Sequence, residues 1–250
     1  MSFKRSGERP LVWAHRGASG YLPENTMEAF EKAVELGADG IELDVHLSRD
    51  GEIVVIHDET LERVSDGTGW VKDKTLEELR KFNYNRTHPE LSHADIPTLR
   101  EVFAFMKPTG KTINVELKTG IVYYEGIEEK VAALVKEMGM EDQVLYSSFY
   151  HKSCTKMHEL VPGSYVGLLC SDGWVGPVDY AKELGADALH PAIYILRYPD
   201  YVKQAGEAGV DINTWPVNYE EWMELCCRAH VNAMITDYPD KALAVGRRLG

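Results

Sequence analysis

The chain has 250 residues, 44% of them hydrophobic and 27% charged, enough to bury one large core, and one domain over residues 1–250 with an insertion fits better than two equal domains. Its formal charge of −13 repels nucleic-acid backbones and anionic membrane surfaces, which argues against a nucleic-acid partner and favours a small soluble substrate. No apolar run approaches the roughly 18 residues needed to span a bilayer, the opening "MSFKRSGERPLVWAHRG" lacks an apolar signal core, and Cys154, Cys170, Cys226 and Cys227 have no metal-ligand spacing, so the expected setting is reduced and cytoplasmic, with no membrane insertion.

The first predicted strand, 11 to 15, ends in His15, with Arg16 and a permissive glycine behind it. "PENTMEAFEKAVELG" then reads as a helix with Asn25 as N-cap and Glu28 three residues on closing a capping box. From here one unit recurs: an amphipathic segment, a stop and a short β-rich run. It is seen in "ELGADGIELDV" (35 to 45), "EMGMEDQVLYSSF" (137 to 149), "ELGADALHP" (183 to 191), "EAGVDINTWPV" (207 to 217) and, without glycine, "CRAHVNAMITDYP" (227 to 239). A glycine past a helix end accepts the left-handed conformation that closes it, so each unit predicts helix, cap, strand.

Strands are expected at 11–15, 40–46, 53–57, 112–118, 143–148, 165–169, 187–190, 211–216 and 233–236. The link from Leu47 to Glu52 is too short for a parallel crossover, which needs about a dozen residues, and "SRDGE" is a turn, so 53–57 returns antiparallel to 40–46 as a hairpin. Eight parallel strands remain, the number that closes a (β/α)8 barrel; an open doubly wound sheet is the competing arrangement. Residues 58–110 carry turn signals and short helical patterns and predict a small insertion before the chain re-enters through the "IPTLREVFAFM" helix.

In such a barrel the chemistry sits at the strand C-termini. The strand period of two sends Ile41, Leu43 and Val45 outward and Glu42 and Asp44 inward, and in "INVELK" it sends Asn114, Glu116 and Lys118 inward. Three converging carboxylates must be protonated, paired with bases or bound to a cation. Arg16 and Lys118 alone leave a deficit, so one hard divalent ion, Mg²⁺ or Ca²⁺, on Glu42, Asp44 and Glu116 is preferred to a buried ion network. His15 and His57 end strands at the same rim. Two imidazoles can serve as general acid and general base, while Arg16 and Lys118 hold an anion, which together point to phosphodiester hydrolysis.

The blocks "AHRGASGYLPENTMEAFEKAVELGADGIELDVHLSRDGEIVVIHDETLERVSDGTG", "IPTLREV", "NVELK", "SSF", "NTWPVN" and "ITDYP", in this order from about Leu11 to Asp240, resemble the glycerophosphodiester phosphodiesterases of soluble bacterial type. The resemblance implies a TIM barrel with an insertion after the HD motif and metal-dependent release of sn-glycerol 3-phosphate and an alcohol from small-molecule glycerophosphodiesters. Carried over by motif, His15 and His57 are the acid/base pair, Glu42, Asp44 and Glu116 the metal ligands, and Arg16 and Lys118 the phosphate contacts. Trp215 matches a tryptophan expected against the glycerol moiety, with burial as core filler its other reading. Val64-Ser65, where threonines are frequent in the family, and the "SRDG" turn are small departures.

Other residues keep two readings. Phe149, His151 and His190 line the pocket or pack its rim, Glu24 braces Arg16 or favours the helix start, and Asp237 orients a rim group or caps a turn. Two competing functions have visible requirements. A sphingomyelinase D-like or phosphoinositide-cleaving enzyme needs a secretion signal or an apolar membrane-contacting loop, and a non-catalytic binding barrel would have lost a histidine or an acid.

Overall fold

Short β-rich runs alternate with helices that each carry one apolar face. The computed structural model describes residues 3–5, 7–198 and 200–249, and the other positions of the 1–250 span lie outside the described residues. In chain order the elements are β1 (Leu11–His15), α1 (Met27–Glu35), β2 (Gly40–Leu47), β3 (Ile53–Val55), α2 (Leu76–Leu79), α3 (Leu99–Met106), β4 (Thr112–Leu117) and α4 (Ile127–Met138). They continue as β5 (Val144–Ser148), α5 (His151–Leu160), β6 (Val166–Cys170), α6 (Pro177–Glu183), β7 (Ala188–Pro191), α7 (Tyr201–Glu207), β8 (Asp211–Thr214), α8 (Glu220–Ala229), β9 (Ala233–Thr236) and α9 (Pro239–Leu249).

The parallel strands pair in the order β1-β2-β4-β5-β6-β7-β8-β9, and β9 pairs back to β1. This closure excludes the open sheet and makes the fold a (β/α)8 TIM barrel. β3 stands outside the ring, antiparallel to β2 with Val45 opposite Val55 and Leu47 opposite Ile53. β2 serves both roles because its first residues pair with β1 and β4 while its last three pair with β3.

Side-chain alternation sorts two cores. Val12, Ala14, Ile41, Leu43, Val45, Ile113 and Val115 face outward into the main apolar layer beneath the helices. Trp13, Leu145, Tyr165, Ala188, Ala233 and Ile235 fill the barrel interior and floor the mouth. His190 belongs to this floor, a correction to its expected place at the rim: it is 0% exposed, and Asn213 Nδ2 donates to its Nε2 at 2.9 Å. Gly167 makes the room, since a Cβ there would lie 2.0 Å from His190 Nε2.

Residues from Val54 to Ile96 pack a second small core around Leu61, Val64, Val71, Leu79 and Tyr84. The chain leaves it through a capping box, Thr98 accepting from Glu101 N–H and Glu101 accepting from Thr98 N–H, which starts α3. The N-terminus of α1 corrects the sequence reading. Thr26 is the N-cap, accepting from Ala29 N–H, and Asn25 is left-handed at φ 58°. The four cysteines are free and buried, and among the described residues no helix is long and apolar enough to cross a membrane.

Candidate active site

Parallel pairing with β4 sets Asp44 opposite Glu116 and Glu42 opposite Asn114, so the inward carboxylates of two strands meet in one layer. One ligand oxygen from each of Glu42, Asp44 and Glu116 lies within 4.8 Å of the others. All three side chains are buried. Each finds a different partner. Glu42 Oε2 accepts the backbone N–H of Arg16 at 2.9 Å, Asp44 Oδ2 accepts Asn25 Nδ2 at 2.9 Å, and Glu116 Oε1 accepts Lys118 Nζ at 3.0 Å. Asn25 thus gives its side chain to the acid cluster and leaves capping to its neighbour.

The electrostatics follow from these partners. Burial and the charges of Asp44 and Glu116 push the Glu42 carboxyl well above its ordinary value. Burial also raises Glu116, with Lys118 opposing. Burial would raise Asp44 too, but His57, Arg16 and Lys118 together hold it below the usual carboxylate range. Asp44 Oδ1 is buried without a hydrogen-bond partner, although Lys118 Nζ stands 3.7 Å away. A buried carboxylate oxygen with free lone pairs, inside an all-oxygen cluster that two bases do not neutralise, fits a hard divalent cation.

Both rim histidines have the same anchoring. His15 Nδ1 is 2.7 Å from Asp237 Oδ1, and His57 Nδ1 is 2.5 Å from Asp58 Oδ1. A carboxylate accepts only, so it assigns the Nδ1 proton and leaves Nε2 of each ring as the working nitrogen. Burial and the Arg16 charge keep the His15 pKa below its ordinary value, with Asp237 opposing. Lys118 Nζ stands 3.2 Å from His57 Nε2 and can donate to it. The backbone of His57 is held as well, because His46 Nε2, buried beneath it, lies 3.0 Å from the His57 carbonyl while His46 Nδ1 meets the Tyr124 hydroxyl at 2.9 Å.

Arg16 turns its guanidinium across the cluster. Nη1 donates to Glu24 Oε1 at 2.8 Å, and Nε is 3.5 Å from Asp44 Oδ2, a distance of Coulomb attraction without hydrogen-bond alignment. Of the two readings of Glu24, the brace on Arg16 is the one realised. His15, Arg16, Glu42, His57, Glu116 and Trp215 line one pocket, while Asp44 lies fully buried behind it. Trp215 meets Phe149 edge to face at 5.5 Å and donates Nε1–H to the His190 carbonyl at 2.7 Å, which fixes an aromatic wall opposite the acids. His151 lies outside the pocket lining, its Nε2 2.9 Å from the Leu169 carbonyl and its ring 5.6 Å from that of Tyr180.

The sequence does not single out Asp58, Arg63 or His46, and of the two readings of Asp237 the structure realises the one that orients a rim group, His15. A signal existed for two of them: Asp58 adjoins His57, and His46 has the inward parity of Glu42 and Asp44. None existed for the pairing of His15 with Asp237, 222 positions apart.

The glycerophosphoryl diester phosphodiesterase family matches residues 15–241. A glycerophosphodiester phosphodiesterase of Caldanaerobacter subterraneus is 43% identical over 243 residues, covering 97% of this chain and all of that one. A glycerophosphodiester phosphodiesterase of Bacillus altitudinis is 40% identical, covering 94% of this chain and 97% of that one. Among solved structures, an Oleispira antarctica phosphodiesterase in complex with the product sn-glycerol-3-phosphate superposes with a TM-score of 0.82 at 28% identity, covering 95% of this chain and 96% of that one. With the matched segment beginning at His15 and spanning every residue of the pocket, this chain belongs to the glycerophosphoryl diester phosphodiesterase family.

Proposed function

We propose that the chain hydrolyses glycerophosphodiesters to sn-glycerol 3-phosphate and an alcohol, using His15 and His57 as general acid and base beside a divalent cation. The observation that carries this reading is the pair of imidazoles, each anchored through Nδ1 by its own carboxylate, facing the same pocket as the three-carboxylate cluster. The family and the product bound in the Oleispira relative support the substrate class.

Glu42, Asp44 and Glu116 would hold one Mg²⁺ or Ca²⁺, which supplies positive charge at the phosphate and lowers the pKa of an attacking hydroxyl. The remaining work falls to the chain's own groups. Arg16 and Lys118 place two fixed cations beside the pocket, where they offset charge that builds on the phosphoryl oxygens, and the planar guanidinium can contact two of them. One histidine takes the nucleophile's proton at Nε2 while the other gives a proton from Nε2 to the departing alcohol. Asp237 and Asp58 hold the rings in the tautomer this requires and stabilise each imidazolium as it forms. Trp215 offers an apolar face to the glycerol carbons, and the 58–110 insertion borders the substrate entrance through Asp58.

The test is release of glycerol 3-phosphate from glycerophosphocholine, glycerophosphoethanolamine and bis(glycero)phosphate, followed by phosphorus NMR. Wild type is expected to turn over, with His15→Ala and His57→Ala each slower by about 10² to 10⁴-fold. A cyclic glycerophosphate during turnover would assign the attack to the neighbouring glycerol hydroxyl rather than to water. Rates for both histidine variants equal to wild type would overturn the proposal.

A further inference from the structure

We propose that Arg63, a residue of the insertion, is a positioning residue that locks His57 and Arg16 to one another through their carboxylate partners. The proposal rests on the roles given above to those two residues. Arg63 divides its guanidinium between two acids. Nη1 and Nη2 donate to Glu24 Oε2 and Oε1 at 2.6 and 2.8 Å, while Nε and Nη2 donate to Asp58 Oδ2 and Oδ1 at 2.6 and 3.1 Å. The same Glu24 Oε1 accepts from Arg16, and the same Asp58 Oδ1 accepts from His57 Nδ1. An alternating chain therefore runs Arg16, Glu24, Arg63, Asp58, His57, joining a loop of β1 to the end of the hairpin.

The fold holds Arg63 in place for this. Its neighbours Leu61 and Val64 are buried in the insertion core, and Leu61 N–H is tied to the Gly69 carbonyl at 3.1 Å, so the turn carrying Arg63 is fixed at the mouth. Only a guanidinium can meet two carboxylates bidentately; an ammonium is a point charge with no second edge. Without Arg63, the only ion-pair partner left to Asp58 among the described residues is His57 itself, so nothing else fixes the carboxylate in place and it can rotate off His57 Nδ1. Arg16 loses less, because Glu24 still reaches it and Asp44 stands beside it. The effect belongs on turnover more than on substrate affinity.

Arg63 is 41% exposed, so its truncation leaves both cores intact and a guanidinium ion in solution can reach the gap. The experiment measures kcat and KM on glycerophosphocholine for wild type, Arg63→Ala, Arg63→Lys, Asp58→Asn and the Arg63→Ala/Asp58→Asn double variant, with His57→Ala as reference. Arg63→Ala is expected to lose about 10²-fold in kcat, the cost of a misplaced catalytic group, with KM changed less than about 3-fold. Arg63→Lys recovers little. The double variant is no slower than the slower single, and added guanidinium restores Arg63→Ala but not the double variant, with sodium chloride at equal strength as control. Arg63→Ala turning over like wild type, or additive losses without guanidinium rescue, overturns the clamp while leaving the hydrolase reading standing. A wild type inactive on every diester overturns that reading and the clamp with it.

Discussion

Glu42→Gln is expected to stabilise the metal-free protein while abolishing its response to metal. Gln keeps an oxygen for the Arg16 N–H that Glu42 accepts at 2.9 Å and loses only the charge. With ligand oxygens within 4.8 Å, each like-charged pair costs about 3.5 kcal/mol at an effective dielectric near 20. Lys118 bonds Glu116, and Arg16 and Lys118 flank Asp44, so Glu42 carries the least relieved share of the repulsion. The cost has a ceiling. At pH 7 the carboxyl can take a proton instead, at 1.36 kcal/mol for each pH unit above its ordinary 4.5, or about 3 kcal/mol. Removing the charge should therefore return up to about 3 kcal/mol, a rise of at most roughly 6 to 12 °C in melting temperature for a domain of this size. The sign with pH follows from a carboxyl raised in the fold: its contribution is fully present below pH 4.5 and is lost as pH rises through the folded value. The gap between the two proteins thus opens above pH 4.5. The assay is thermal unfolding in chelator and then in saturating Mg²⁺ or Ca²⁺, which stabilises whichever protein binds it. A chelated variant that melts below wild type would show that Glu42 is not the strained acid, and equal metal shifts in both would show that it does not bind the ion.

Gly167→Ala should destabilise by about 2 to 3 kcal/mol, because its Cβ would sit 2.0 Å from His190 Nε2 and force the ring off Asn213 Nδ2, which keeps only the longer 3.4 Å bond to the Tyr165 hydroxyl; a urea midpoint unchanged from wild type contradicts this. Burial lowers His190 from 6.5 to about 3, so the unfolded chain binds a proton that the fold refuses, and the stability present above pH 6.5 is lost as pH falls toward 3. Between pH 7 and 5.5 wild type should lose about 1 kcal/mol more than His190→Gln in denaturant titrations, and parallel losses would remove His190 as the cause. Asp237→Asn is expected to cost about 10²-fold or more in kcat with little change in KM, since the amide no longer enforces the Nδ1 proton of His15; an unchanged kcat would show that Asp237 does not orient the ring.

The barrel was legible because its signals are local. Each strand run follows a helix stop within a few residues, and the Asp50-Gly51 turn could only close a hairpin, which left eight strands to form the ring. The acids were legible for the same reason: parity along β2 and β4 depends only on strand period, so Glu42, Asp44, Glu116 and Lys118 face inward as expected. What could not be read were bonds between distant segments. Asn25 has an ideal capping side chain, yet a tertiary bond to Asp44 claims it and Thr26 caps instead. His190 is one residue from the end of β7, but the empty space over Gly167 draws it into the floor. Asp237 reaches His15 only after the barrel closes, and Arg63 reaches Glu24 only once the insertion has folded beside the first loop.

On the proposed reading, a cation on Glu42, Asp44 and Glu116 and the two anchored histidines act on one phosphodiester. The measurement closest to it is the initial rate of glycerol 3-phosphate release from glycerophosphocholine by chelator-treated protein as Mg²⁺ or Ca²⁺ is returned stepwise. The expected rate is near background in chelator and rises to saturation with about one ion per chain, with no such rise for Glu116→Gln or His57→Ala. A full rate in chelator, or a metal response that survives Glu116→Gln, would contradict it.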